Sequence, residues 1–147
     1  MGVSTDAILF WGFFLTEDEE GEDDEMPWLD EEYEWDTFYA KQLGIEEPTV
    51  PYNRDDEEVV EIYHAYWRSN REAAKASGCD IAYHCSGDYP LYYVTVEESR
   101  IRASRGYPEE ITDLCAAPEW HDRLQRFCKV MDIPWQEPKW WLVSLWN

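Results

Sequence analysis

The chain has 147 residues, 44% of them apolar and 16% aromatic, with nine Trp and ten Tyr. Large side chains in that number exclude a wholly disordered protein, and the length fits a single hydrophobic core. A formal net charge of −21 excludes direct gripping of nucleic acid or of an anionic membrane, because both need clustered Lys and Arg.

The residues in chain order predict an α+β single domain over 1–147: a mostly antiparallel sheet with two or three packed helices. Thr5 to Leu15, "TDAILFWGFFL", is continuously apolar and short, as a central strand covered on both faces would be. An acidic segment at about 16–36 follows, broken by Gly21 and Pro27. Glu31 to Leu43 then reads as a short helix stopped by Gly44, and "EEPTVPYN" as a connector. From Asp55, an N-cap with Glu58 three positions on, the residues Val59, Ile62, Tyr63, Tyr66, Trp67, Asn70, Ala73 and Ala74 recur at helical spacing until Gly78.

Beyond that helix, "CDIAYHC" and "LYYVTV" are two strands joined by the turn "SGDYP", where Gly, Asp and Pro reverse the chain. "RIRASR" supplies a third short strand. Pro118 to Met131 predicts an amphipathic helix with Trp120, Leu124, Phe127, Cys128 and Met131 on one face, and "KWWLVSLWN" a final strand.

The residues with chemical potential form no convincing catalytic set. Cys79, His84, Cys85, Cys115, His121 and Cys128 lack the CxxC or HxxxH pairs that seed a zinc site, so the expectation is buried, inert thiols, no metal and no cofactor. His84 and Cys85 are neighbours in an expected strand and would point to opposite faces, which separates a nucleophile from its base. "DEEGEDDE" lacks the ligand order of an EF-hand, and no Gly-rich phosphate loop is present. Arg102 and Arg105, near "SRGYP", could receive an anion, although an Arg pair on so acidic a protein more often serves as an internal counterion. The expectation is therefore a non-enzyme.

The acids themselves are polarised along the chain. Residues 1–61 hold 21 Asp or Glu against Lys41 and Arg54, a net of −19, whereas residues 62–147 hold 12 acids and 10 bases, a net of −2. Halophilic adaptation would spread acids evenly, and the self-repulsion of a dense cluster opposes compaction. The block is Glu17, Asp18, Glu19, Glu20, Glu22, Asp23, Asp24, Glu25, Asp30, Glu31, Glu32, Glu34 and Asp36, with Asp55, Asp56, Glu57 and Glu58 further on. Trp28 and Trp35 are interleaved and can anchor the segment to the domain or to a partner. Duplex DNA carries about one negative charge per 1.7 Å of axis. Carboxylates fixed at comparable density would fit a basic groove built for it, so these 19 residues are the expected partner-binding set, and the expected partner is a basic, nucleic-acid-binding protein reached by electrostatic steering.

The stretches "GVSTDAILFWGF", "HCSGDYPLYYV" with "RASRGYP", and "IPWQEPKWWLVSLW" resemble small acidic proteins encoded by bacteriophages and prophages, over about a third of the chain. That class includes anti-CRISPR and anti-restriction inhibitors, some of them DNA mimics. The resemblance implies inhibition of a host defence complex in the cytoplasm of a bacterial cell, and it brings no catalytic motif. No apolar run approaches the roughly 18 residues needed to cross a bilayer, which agrees with a soluble protein. Two alternatives remain: a phage structural or regulatory interaction module, and a small thiol or metal enzyme.

Overall fold

The computed structural model describes residues 4–15 and 34–146. Strand β1 (Thr5–Phe14) runs through the centre and is buried from Ile8 to Phe13. Successive side chains on a strand point to opposite faces, so burial of both the even and the odd set requires cover on both sides. The even residues Ile8 and Phe10 pack with Tyr93 and Leu145. The odd residues Trp11 and Phe13 pack with Leu124, Phe127 and Met131. The two-sided strand expected from its sequence is what the fold contains.

Helix α1 (Trp35–Gln42) follows, then α2 (Glu57–Ala76), β2 (Cys79–Ser86) and β3 (Pro90–Val96). A 3-10 turn at Glu97–Ser99 leads into β4 (Ile101–Ser104), helix α3 (Pro118–Met131) and β5 (Lys139–Trp146). The helix expected from Glu31 to Leu43 is shorter: it runs Trp35–Gln42, starting after Glu34, whose extended backbone makes it the N-cap, while Glu31 to Tyr33 lie outside the described residues. Gly44 ends it at φ +90, a left-handed conformation that a side chain would strain. The cap of α2 differs from expectation by one residue. Asp56, not Asp55, has the extended backbone of an N-cap and accepts the N–H groups of Glu58 and Val59. Asp55 instead gives its own N–H to the side chain of Asn53 in the preceding turn. The buried stripe of α2 is also narrower than its periodicity suggested: Val59, Tyr63, Asn70 and Ala74 are buried, while Ile62 is 47% and Trp67 39% exposed. α2 packs mainly on the short α1, which covers only part of that face.

The five strands lie in the order β3-β2-β5-β1-β4, and β1 also pairs with β3. Pairings β1–β3, β3–β2, β2–β5 and β5–β1 therefore close a circuit. Along one edge of β1, residues Thr5–Gly12 pair with β5; along the other, Asp6–Leu9 pair with β4 and Gly12–Phe14 with β3. All pairings are antiparallel except the short β2–β5 contact at Cys85↔Leu145 and Ser86↔Trp146, so the sheet is mixed. Coiling a sheet this tightly brings backbones close. At Gly12 a Cβ would overlap the carbonyl oxygen of Val94, so only glycine fits where β3 meets β1.

The main core joins the helices to the outer face of this coiled sheet. Trp120, Leu124, Phe127, Cys128 and Met131 of α3 meet Trp11 and Phe13 of β1, Cys79 and Ile81 of β2, and Val94 and Val96 of β3. The amphipathic face read from the sequence is the buried one. Asp132 closes α3 in the left-handed conformation at φ 57, and Ile133 is buried behind it. On the inner, concave face the Phe10 and Tyr93 rings stack with centroids 4.0 Å apart.

Candidate functional site

The expected partner-binding residues divide into three groups. Glu17, Asp18, Glu19, Glu20, Glu22, Asp23, Asp24, Glu25, Trp28, Asp30, Glu31 and Glu32 lie outside the described residues. Glu34, Trp35 and Asp36 form the start of α1, and Asp55 to Glu58 form the start of α2. The two described groups are not brought together. α1 and α2 are neighbours, and Glu34 and Asp36 share a cleft with Trp67, Asn70 and Arg71, late in α2. Fourteen residues of helix separate Asn70 from Asp56, about 21 Å at 1.5 Å per residue. The two acidic groups thus occupy opposite ends of α2.

Their surroundings differ too. Glu34 and Asp36 line a second adjoining cleft with Arg71, Lys75 and Asp80, where cations of the same chain face them. Asp36 also accepts the N–H of Thr37 at 2.7 Å. Trp35 meets Phe127 edge-on at 5.5 Å and Tyr39 at 6.4 Å. It anchors α1 to the core, the first of the two roles its sequence position allowed. Neither amide atom of Asn70, a residue only 1% exposed, has a hydrogen-bond partner among the described residues.

At the other end, Asp55, Asp56, Glu57 and Glu58 are all exposed, as are Glu46, Glu47 and Glu61. The only ion pair among the described residues there is Arg54–Asp55, 3.8 Å apart with both side chains 85% exposed, a geometry worth little in water. Part of this cluster has a local reason: Asp56 caps the helix, and Glu57 and Glu58 sit in its first turn, where the helix dipole favours negative charge. Asp55 and Glu61 have no such role.

The cysteines and histidines do not assemble into a reactive centre in the described structure. Cys79 and Cys128 are buried in the main core, and burial pushes both thiols up to about 12, which keeps them protonated. Cys85 is exposed at the end of β2 with φ 76, whereas the His84 ring packs against Phe14 at 5.3 Å and Tyr93 at 6.3 Å on the inner side. Burial lowers the His84 pKa. His121 sits against Trp135, at 5.1 Å. No group of three His, Cys, Asp or Glu side chains that could hold a metal occurs among the described residues. No helix among them is long and apolar enough to cross a membrane.

Arginine carries the most developed polar geometry, and the sequence signalled only half of it. Arg102 engages Asp6 through Nε, at 2.8 Å, and through Nη2; Asp6 is 4% exposed. Arg100 bonds Asp80 at 2.7 Å and reaches the Tyr93 hydroxyl. Burial alone would lower the Arg100 pKa, but Asp80 and Tyr93 together raise it. Neither pairing has a local signal, since Asp80 and Asp6 lie on strands distant in the chain from Arg100 and Arg102.

No protein-family model, curated protein or solved structure matches the chain.

Proposed function

We propose that this protein is a non-catalytic inhibitor whose acidic surface occupies the nucleic-acid channel of a basic host defence complex, as a mimic of DNA. The observation that carries the reading is the uneven distribution of charge: a net of −19 in residues 1–61 against −2 in the rest. The described part of the acidic half supports it. From Glu46 to Glu61, through the start of α2, seven exposed carboxylates face solvent, and Arg54 is the only Lys or Arg in that stretch. Such a surface attracts Lys- and Arg-lined grooves over about a Debye length, ~8 Å near physiological ionic strength, and repels nucleic acid.

The test is capture from bacterial lysate on the immobilised protein, at low salt, followed by elution with duplex DNA. Basic nucleic-acid-binding proteins should be retained and then released by the duplex, because both ligands claim one channel. Each purified partner is then mixed with labelled duplex and this protein over a salt series, read by anisotropy and mass. Mutual exclusion supports mimicry. A stable ternary complex of partner, duplex and inhibitor defeats it.

A further inference from the structure

The helices cover the outer face of the coiled sheet, and the concave face carries a pocket of its own. It measures ≈ 400 Å³ and is lined by Ile8, Ala82, Tyr83, Tyr93, Leu145 and the two arginines Arg100 and Arg102. Each of the five strands contributes at least one of these residues, with Arg100 immediately before β4. The mouth of a coiled or closed sheet is a common place for a small-molecule site, and this volume lies in the usual range for one.

The chemistry of the lining is specific. Ile8, Leu145, Ala82 and the Tyr93 ring give an apolar floor; Tyr83 borders the pocket, but its ring lies beside Tyr92 on the opposite, helix-packed face of β2. The arginine side chains are 26% and 52% exposed, whereas their carboxylate partners Asp80 and Asp6 are 24% and 4% exposed. The carboxylates are at least as withdrawn as the guanidiniums, most clearly for Asp6 behind Arg102. An aspartate bonded to one edge of a guanidinium fixes the plane of the fork, and a fixed fork loses less entropy when it takes an anion bidentately.

We propose that this concave pocket binds a small organic anion with a flat apolar body: the body lies on the Ile8, Leu145 and Tyr93 floor, and the anionic group is held by Arg102 and Arg100. The site is separate from the acidic surface around α2 and does not depend on the inhibitor reading. Carboxylates and phosphate esters share the required head-group chemistry. Both fit a planar pair of N–H donors.

Titration of the isotope-labelled full chain by NMR tests this, with benzoate and phenyl phosphate as anionic probes, benzamide as the neutral body alone and inorganic phosphate as the head group alone. Saturable shifts at the Ile8, Ala82 and Leu145 methyls are expected with benzoate or phenyl phosphate, and the stronger of the two identifies the head group. Benzamide and inorganic phosphate should each bind at least about tenfold more weakly, since each forfeits either the charge-assisted bonds or the apolar contact. Arg102→Lys keeps the charge beside Asp6 and the fold while removing the fork, and should weaken benzoate about tenfold. Absence of saturable shifts at these methyls with both anionic probes overturns the proposal. So does benzamide binding as tightly as benzoate, or Arg102→Lys with an unchanged melting temperature and unchanged affinity.

Discussion

Ser99 Oγ accepts the backbone N–H of Trp11, 88 positions away in the chain, at 3.1 Å. The bond lies at the break between β3 and β4, where the edge of β1 has no strand opposite it. Thr95 Oγ1 donates to the carbonyl of the same Trp11 at 2.9 Å. Two side-chain hydroxyls, Thr95 fully buried and Ser99 2% exposed, thus replace the missing rung of the ladder. A buried backbone group without a partner costs about as much as a lost hydrogen bond, so this repair allows the 3-10 turn at Glu97–Ser99 to interrupt the edge.

Ser99→Ala is therefore expected to cost roughly 1–3 kcal/mol, because it leaves the Trp11 N–H buried without an acceptor. Urea melts of the variant and parent measure it. Hydrogen exchange at Trp11 should accelerate in the same variant; an unchanged rate would mean that the hydroxyl is not the partner in solution.

Gly12→Ala should be more damaging. The added methyl meets the backbone of Val94, which cannot move aside as a flexible side chain would. The loss should exceed the ~1–3 kcal/mol usual for overpacking, and thermal melting should show an unfolded or strongly destabilised chain. A melting temperature equal to that of the parent would mean that β3 does not cross β1 at this point.

Most elements were legible in the sequence because each has a local cause. Pro118 to Met131 reads as a helix from Pro at its first position and an apolar stripe at helical spacing, and the same limits are found. Gly78, at φ +69, ends the α2 region where a left-handed residue was needed. What the sequence did not show is long-range. The circuit β1–β3–β2–β5 depends on pairings that no local pattern encodes, and with it go the concave pocket and the Asp6–Arg102 and Asp80–Arg100 pairs. Trp67 looked like a core residue by periodicity and is 39% exposed, since the helix beside it is short. Of the candidate site, the start of α2 was legible as an acidic, capped helix end. Its distance from Glu34 was not, because it follows from how α1 packs against α2.

The buried thiols predict a pH dependence. Cys79 and Cys128 have folded-state pKa values raised to about 12 from an ordinary 9.0, with burial the leading cause. The unfolded chain releases these protons first. Stability from this source is thus fully present below about pH 9 and is lost as pH rises from there towards 12, since the unfolded state binds fewer protons in that window. Urea midpoints at increasing alkaline pH check the slope. Cys79→Ala or Cys128→Ala should reduce it, besides shifting stability at neutral pH. Labelling with a thiol reagent at pH 8 should mark Cys85 first and Cys115 more slowly, because its bond to Asp113 raises the Cys115 pKa, while the two core thiols stay unmarked until unfolding. Labelling of Cys79 or Cys128 in the native protein at the rate of Cys85 would contradict their burial.

The acidic surface can be dissected by neutralising its parts separately. One variant changes Glu22, Asp23, Asp24 and Glu25 to their amides; another changes Asp55, Glu57, Glu58 and Glu61 but keeps Asp56, whose carboxylate caps α2. The second set includes two first-turn acids, each worth about 0.3–1 kcal/mol to the helix dipole, and relief of mutual repulsion offsets part of that loss. Melting temperatures should therefore change little. Association with a captured basic partner is expected to slow by about tenfold at low salt for whichever cluster faces the channel, with dissociation changed less, since charge at a rim acts mainly on encounter. The difference between parent and variant should shrink as salt screens the interaction. Stopped-flow rates at several ionic strengths decide it. If both variants associate at the parental rate at low salt, the acids do not steer this protein to its partner, and the interaction module without mimicry becomes the better account of the charge.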